Sequence, residues 1–169
     1  MRKGHPVFVK GTLPRYRKPQ PSETDGSVQL KMQAKLENVL DKGYIRPGRV
    51  KSLTGYFGVL KGPTDIRMVY DATRSGLNAT LWSPNFGLPT VETLLCGVEF
   101  GTWMGYIDLG EIILNFCLGK DLHEFCEVDL SPFCPHPHRK IRWERWVWCL
   151  MGLRVSPYLT IKGLSLGLE

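Results

Sequence analysis

The segment GYFGVLKGPTDIRMVYD, residues 55–71, decides the fold that the sequence predicts. Residues 55–60 and 66–70 are rich in aromatic and β-branched side chains, and the KGPTD between them is typical of a turn. The pattern predicts a β-hairpin that carries Lys61 and Arg67 near one end. Two cations on a stiff ribbon suit a bound polyphosphate, because they neutralise its charge without a large ordering cost. Ordinary surface charges on an exposed hairpin are the alternative.

An amphipathic helix is predicted before this hairpin. Ser27 can cap its start, and Gly43 stands where a left-handed residue ends a helix. Four apolar residues share one helical face: Met32, Leu36, Val39 and Leu40.

Residues 1–27 form a basic segment punctuated by four prolines, which exclude a regular helix, so we expect a disordered arm. Six cations precede the first acid, Glu23, and account for the whole net charge of +6: Arg2, Lys3, Lys10, Arg15, Arg17 and Lys18. Such an arm suits contact with a phosphate backbone or nuclear targeting. A solvated tail without a partner is the alternative.

Downstream of the hairpin, residues 91–95 predict a short helix, and residues 102–109 predict an apolar strand that ends near Asp108. A helix is expected over residues 112–118. An acid at the exit of a buried strand is well placed to hold a catalytic metal, since the strand is rigid and its end meets solvent. Asp108 and Glu111 also have the spacing of a capping box, which is the alternative.

Residues 140–149 mix aromatic residues with arginines. In a strand, Trp146, Trp148 and Leu150 share one face, which favours core packing over stacking on bases. Residues 152–157 then predict a turn, and a last helix is expected to begin at Tyr158.

Composition limits the class of protein. With 169 residues and 43% hydrophobic content, the chain can form one domain or a large part of a bigger one. No apolar run approaches the roughly 20 residues that span a bilayer, so we expect a soluble, intracellular protein, cytoplasmic or nuclear, with no membrane partner. Five scattered cysteines predict neither a disulfide framework nor a zinc ribbon. The CPHPH of residues 134–138 offers three zinc ligands, but structural zinc usually needs four.

Taken in order, these motifs resemble the reverse transcriptases of retrotransposons and retroviruses, over roughly residues 30–169. The fingers of that family and its link into the palm are matched by residues 36–47, 59–61, 66–71, 77–78 and 88–91. Residues 107–109 resemble the first palm motif, and residues 150–157 resemble the second. Motifs in the family's order and at its separations indicate common ancestry.

The resemblance implies addition of deoxynucleoside triphosphates to an RNA or DNA template-primer, with Mg²⁺ as cofactor. Asp108 would be the catalytic carboxylate and metal ligand, and the carbonyl of Leu109 would bind one ion. Lys61 and Arg67 would hold the triphosphate. Ile113 stands where the family has an aromatic residue that excludes the ribose 2′-hydroxyl. Four residues of the second motif would shape the template and nucleotide pocket: Met151, Gly152, Ser156 and Pro157.

The family's third palm motif, Tyr-x-Asp-Asp, has no counterpart here, and no Asp-Asp pair occurs in the chain. Two-metal phosphoryl transfer needs several carboxylates around ions roughly 4 Å apart. Glu111 is expected to turn away, and three further acids are expected at the surface: Asp121, Glu124 and Asp129. We therefore expect a domain truncated before that motif, inactive alone or completed by a second polypeptide. A non-catalytic nucleic-acid-binding module and a degenerate retroelement relic are the alternatives.

The predicted fold class is α/β (α+β), with antiparallel hairpins and packed helices. It would form the fingers and a partial palm of a polymerase-like right hand. We predict an arm over residues 1–27, a fingers-like subdomain over residues 28–92 and a partial palm over residues 93–169.

Overall fold

The structure, a computed structural model, describes residues 7–103, 105, 108–133 and 142–167. Its architecture is mixed α/β with three antiparallel sheets, as predicted. The strands are β1 (Phe8–Val9), β2 (Ile45–Pro47), β3 (Gly55–Lys61), β4 (Asp65–Asp71), β5 (Leu81–Trp82), β6 (Glu127–Asp129) and β7 (Trp143–Trp146). The helices are α1 (Gly26–Asp41), α2 (Leu77–Thr80), α3 (Val91–Leu95), α4 (Lys120–His123) and α5 (Ser156–Gly167), with a 3₁₀ helix at Ile112–Asn115.

Helix α1 is the predicted amphipathic helix, but Asp25 caps its start instead of Ser27. One carboxylate oxygen of Asp25 accepts hydrogen bonds from the backbone N–H groups of Ser27 (2.8 Å) and Val28 (3.2 Å). A carboxylate is favoured at this place because it also complements the positive end of the helix dipole. The predicted end is confirmed, since Gly43 has a φ of +69°.

The predicted hairpin is confirmed as β3 and β4, and α1 packs across it. Residues 55–61 pair antiparallel with residues 65–71. Met32 and Leu36 of α1 and Ile66 of β4 are almost fully buried. A Cβ at Gly58 would lie 2.3 Å from Cδ1 of Ile66 and 3.0 Å from Cγ of Met32. A larger residue there would displace both side chains, so glycine lets the helix approach the strand.

A three-stranded sheet in the order β2-β7-β6 completes the core. Ile45 pairs with Trp146 across it, and both side chains are buried. The ring of Trp146 lies 4.9 Å from that of Tyr70 in an edge-to-face arrangement, which joins the sheet to the hairpin. The core packing predicted for Trp146 and Leu150 is confirmed, while Trp148 is half-buried.

Residues 7–25 lie along the body of the protein, where we expected a disordered arm. Strand β1 pairs with β5. The side chain of Gln20 donates to the carbonyl of Tyr56 (2.6 Å) and accepts from its N–H (3.2 Å), as a neighbouring strand would. The N–H of Gln20 donates to Asp129 at 3.1 Å. Prolines exclude a helix but hold a segment extended, and an extended segment can bond to strand edges.

The strand predicted for residues 102–109 is wrong for the part that the structure describes. Its described residues lie outside any strand and are exposed, and Met104, Tyr106 and Ile107 lie outside the described residues. Of the helix predicted for residues 112–118, residues 112–115 form a 3₁₀ turn, and Cys117 forms an isolated bridge with Trp148. A strand needs a neighbour for its backbone groups, and no described strand pairs with this segment.

The helix predicted at residues 91–95 is confirmed as α3, but none of its residues is buried. Phe100 and Trp103 beyond it are almost fully exposed. Large exposed apolar surface marks either an interaction face or a segment prone to aggregation.

The described cysteines are free thiols: Cys96, Cys117, Cys126 and Cys149. The alternating donors Cys134, His136 and His138 lie outside the described residues. None of the helices in the described part is long and apolar enough to cross a membrane.

Strand β6 buries two acids, against the expectation that Asp129 is solvated at the surface. Asp129 is 4% exposed and accepts hydrogen bonds from the N–H groups of Ser131 (3.0 Å) and Gln20. Glu127 is fully buried, and neither of its carboxylate oxygens has a hydrogen-bond partner among the described residues. Burial raises the pKa of Glu127 to about 8, against the opposing charge of Arg145. Its carboxyl is therefore largely protonated at neutral pH.

We predict that Glu127→Gln stabilises the chain at alkaline pH. The folded-state pKa of about 8 exceeds the ordinary value of 4.5, so the unfolding free energy of the native chain falls as pH rises between those values. Glutamine keeps the shape and stays neutral, which removes this fall. Urea unfolding at about pH 5 and about pH 9 should show a higher midpoint for the variant at the alkaline pH. Glu99→Gln, at an exposed position, is the control, and the same response in both variants would contradict the assignment.

Candidate functional site

The closed end of the hairpin carries two of the predicted site residues. Lys61 ends β3 opposite Asp65, and Arg67 on β4 lies opposite Val59. Side chains alternate along a strand, so Lys61 and Arg67 point to the same side of the ribbon. Both are exposed. The structure thus places together the two cations that we assigned to a polyphosphate, and we call them the hairpin cations.

A cleft of about 300 Å³ opens beside the hairpin cations, at the lower end of the size range of small-molecule sites. Its walls come from α1, the hairpin, the 3₁₀ segment, β7 and the residue Met151. It is lined by Lys35, Asn38, Val39, Lys61, Asp65, Ile66, Arg67, Met68, Tyr70, Glu111, Leu114, Trp146 and Met151. The structure therefore brings Met151 of the second palm-like motif to the hairpin cations.

Ion pairs neutralise the acids of the cleft. Lys35 lies 2.9 Å from Asp65, and Lys42 lies 2.7 Å from Glu111. The hydrogen bond from Lys35 is the main cause that holds the pKa of Asp65 below its ordinary value. The hydrogen bond to Glu111 raises the pKa of Lys42. The hairpin cations form no ion pair with a described residue, so their charge is available to an anionic ligand.

Glu111 lies in the cleft, whereas we expected it to turn away or to form a capping box with Asp108. Its φ of +51° is the one positive value among the described non-glycine residues. The start of the 3₁₀ helix has no side-chain cap, so the capping-box alternative is wrong. A left-handed conformation costs a residue with a side chain about 1–3 kcal/mol, and such residues cluster at functional sites.

The turn of the second palm-like motif lies directly against β4. Gly152 has a φ of +93°, and a Cβ there would lie 1.9 Å from the carbonyl oxygen of Tyr70. The hydroxyl of Ser156 donates to the carbonyl of Leu150 at 2.8 Å, which closes the turn. Pro157 is exposed in the first turn of α5, where a missing N–H has no helical partner to lose. The predicted turn is confirmed, and the helix begins at residue 156 instead of 158.

Asn78 holds this turn from the side, a role that the sequence pattern did not reveal. Its amide donates to the carbonyl of Gly152 (2.8 Å) and accepts from the N–H of Arg154 (2.8 Å). One side chain therefore satisfies two backbone groups of the turn. The resemblance placed Asn78 only in a link to the palm, and no local pattern indicates a contact 74 positions away.

The predicted metal ligands do not line the cleft. Asp108 and Leu109 are exposed, and Ile113 is half-buried against the core. Among the described residues, no group of three or more His, Cys, Asp or Glu side chains could hold a metal ion. A two-metal site needs several carboxylates, so the donors described here do not fit one by themselves. The metal-binding role of Asp108 and Leu109 stays a prediction.

No protein-family model and no curated protein matches the chain. Among solved structures, a foamy viral protease-reverse transcriptase in complex with double-stranded DNA matches over 92% of this chain, with a TM-score of 0.71. The fold is reverse-transcriptase-like. The two sequences are 17% identical, so the likeness concerns the fold alone, and the match spans 25% of the viral chain.

The reverse-transcriptase-like fold confirms the predicted class, an α/β polymerase-like hand with antiparallel hairpins. The subdomain boundaries at residues 28–92 and 93–169 stay predictions.

We predict that Asn78→Ala loosens the turn at Gly152. It removes three hydrogen bonds of about 1 kcal/mol each, those to Gly152, Arg154 and Thr73, so the free energy of unfolding should fall by about 2–3 kcal/mol in urea titrations. Asn78→Asp keeps the oxygen that accepts from the N–H of Arg154 but loses the N–H that donates to Gly152. Its free energy of unfolding should therefore lie between those of the native chain and of Asn78→Ala. The control is Asn85→Ala, since the exposed Asn85 makes no hydrogen bond to a described residue. An equal loss of unfolding free energy in Asn78→Ala and Asn85→Ala would show that the hydrogen bonds of Asn78 do not stabilise the turn.

Proposed function

We propose that the chain is part of a reverse-transcriptase-like nucleotidyltransferase, and that its cleft holds the triphosphate of a deoxynucleoside triphosphate. The observation that carries this proposal is the composition of the cleft, in which the hairpin cations and Met151 line the same space. The two acids of the cleft form ion pairs with Lys35 and Lys42, so the charge of the hairpin cations is not neutralised by them. A triphosphate needs concentrated positive charge, and Arg67 can form two parallel hydrogen bonds to phosphate oxygens while Lys61 acts as a point charge.

The turn at residues 151–157 would shape the pocket for the template and the nucleotide. Met151 is 42% exposed and offers an apolar surface to a base. Gly152 allows close passage of the backbone, and the bond from Ser156 and the ring of Pro157 hold the start of α5. The net charge of +6 favours an RNA or DNA template-primer as the partner.

The proposed half-site for Mg²⁺ consists of Asp108 and the carbonyl of Leu109. Because the described residues add no cluster of carboxylates, we derive no catalytic step from it. The proposal is instead that a second polypeptide with the missing Asp-Asp motif completes the palm. The 169-residue chain alone, in this view, is an inactive retroelement domain.

A nucleic-acid-binding module without chemistry is the second candidate. Two observations favour it: the hairpin cations in the cleft form no ion pair with a described residue, and the described residues include no cluster that could hold a metal ion. Its signature is affinity for nucleic acid that falls steeply with salt, together with no affinity of the cleft for a free triphosphate.

We expect the double variant Lys61→Gln/Arg67→Gln to bind deoxyadenosine triphosphate at least about tenfold more weakly than the native chain. Each charge-assisted hydrogen bond is worth about 1.5–3 kcal/mol, and about 1.4 kcal/mol corresponds to tenfold in affinity. Isothermal titration calorimetry measures the difference. The matched control, Lys10→Gln/Lys162→Gln, removes the same charge from exposed positions outside the cleft. Unchanged affinity in the cleft variant would remove the triphosphate from the proposal and leave the binding module.

We expect no primer extension by the chain alone on an RNA template with magnesium and labelled deoxynucleotides, because the described residues lack a carboxylate cluster. An Asp108→Ala variant is run in parallel. Extension by the native chain that disappears in this variant would show a complete catalytic site and refute the predicted inactivity. Extension that persists in the variant would indicate a contaminating polymerase.

A further inference from the structure

A second positively charged surface lies on the face of the three-stranded sheet that the cleft does not use. Side chains alternate along β7, so Trp146 lines the cleft and the preceding Arg145 points to the opposite face. Arg46 on β2 lies directly opposite Arg145. Arg145 therefore stands between Arg46 on β2 and Glu127 on β6, and the two arginines are like charges at directly paired positions, which destabilise a sheet.

The loop after β2 extends this surface. The side chain of Arg145 passes over Gly48, where a Cβ would lie 2.4 Å from Cδ of the arginine. Arg49 follows and is exposed. The side chains of Arg46, Arg49 and Arg145 form no hydrogen bond and no ion pair with a described residue. Their guanidinium groups therefore lack acceptors in the described part of the protein.

The N-terminal segment contributes a further cation to the same place. The guanidinium of Arg17 donates to the carbonyl of Val50 at 2.9 Å, next to Lys51. We call the set Arg17, Arg46, Arg49, Lys51 and Arg145 the back basic surface.

The acids near the back basic surface do not cancel its charge. Glu124 is paired with Lys51 and also feels the charges of Arg49 and Arg145. Glu127 is buried directly opposite Arg145 on β6, and burial keeps its carboxyl largely neutral. The charges of Asp121 and Lys120 offset each other, since Asp121 raises and Lys120 lowers the pKa of the neighbouring His123. Arg17, Arg46 and Arg49 therefore have no acid paired with them among the described residues.

We propose that the back basic surface binds the phosphodiester backbone of a nucleic-acid strand, independently of the cleft. Arginines without acceptors, held on a sheet and on a loop anchored to it, present donors that match phosphate oxygens. Regularly spaced phosphates can meet several of these cations at once, which a single small anion cannot. Because β7 separates the two surfaces, the chain can hold a strand on one face and a nucleotide on the other.

The test is fluorescence anisotropy of a labelled single-stranded oligothymidylate over a series of salt concentrations. The variant is Arg46→Gln/Arg49→Gln, since both side chains are exposed and neither bonds to a described residue. Each lost phosphate contact makes the slope of log K against log salt shallower by about 0.7, so we expect a change of about 1.4 and several-fold weaker binding at low salt. Arg74→Gln/Lys162→Gln, at exposed positions outside the arm, the cleft and the back basic surface, is the control with the same net charge. A slope equal to that of this control would overturn the proposal.

A second measurement on the unaltered chain does not depend on how the variant folds. The oligothymidylate should protect Arg46 and Arg49 from modification by phenylglyoxal, read by mass spectrometry, and absence of protection at saturation would also overturn the proposal. The two sites are separable, because the back variant should keep its affinity for deoxyadenosine triphosphate. If only Lys61→Gln/Arg67→Gln loses triphosphate binding, the result concerns the cleft and does not test the proposal for the back basic surface.

Discussion

The contact of Gly152 with the carbonyl oxygen of Tyr70 sets the geometry on which the candidate site depends. The space there is too small for a Cβ, which would lie 1.9 Å from that oxygen. Tyr70 lies on the strand that carries Arg67, and Met151 directly precedes Gly152, so one backbone contact sets the spacing of two walls of the cleft. Asn78 holds the turn in place from the side. A side chain at residue 152 would therefore disturb the cleft as well as the fold.

Because side chains alternate along β7, the cleft and the back basic surface lie on opposite faces of this strand. Trp146 joins the core and the cleft, while Arg145 belongs to the back basic surface. Within the cleft, lysines outside the hairpin pair with the acids, so the hairpin cations keep their charge for a ligand. Exposed ion pairs of this kind add little to stability, about 0–1 kcal/mol each. Their effect is on binding, because they decide which cations are left to meet an anion.

The described residues of the cleft supply cations, an apolar wall and a rigid turn. Among the described residues, no cluster of metal-binding side chains surrounds Asp108. The likeness to a reverse transcriptase concerns the fold, and a fold does not by itself establish an activity.

The sequence by itself determined the elements whose signals are local. Helix α1, the hairpin with its two cations, α3 and the turn at Gly152 follow from apolar spacing, turn residues and left-handed glycines, all read within a few positions. Only the tertiary structure decided the rest, because burial and pairing depend on distant residues. The segment 102–109 has the composition of a strand but no described partner, and Asp129 is buried partly by a residue 109 positions away. Glu111 likewise lies in the cleft because of an ion pair with the distant Lys42, and Asn78 bonds to a turn 74 positions away. No local sequence pattern predicts either contact.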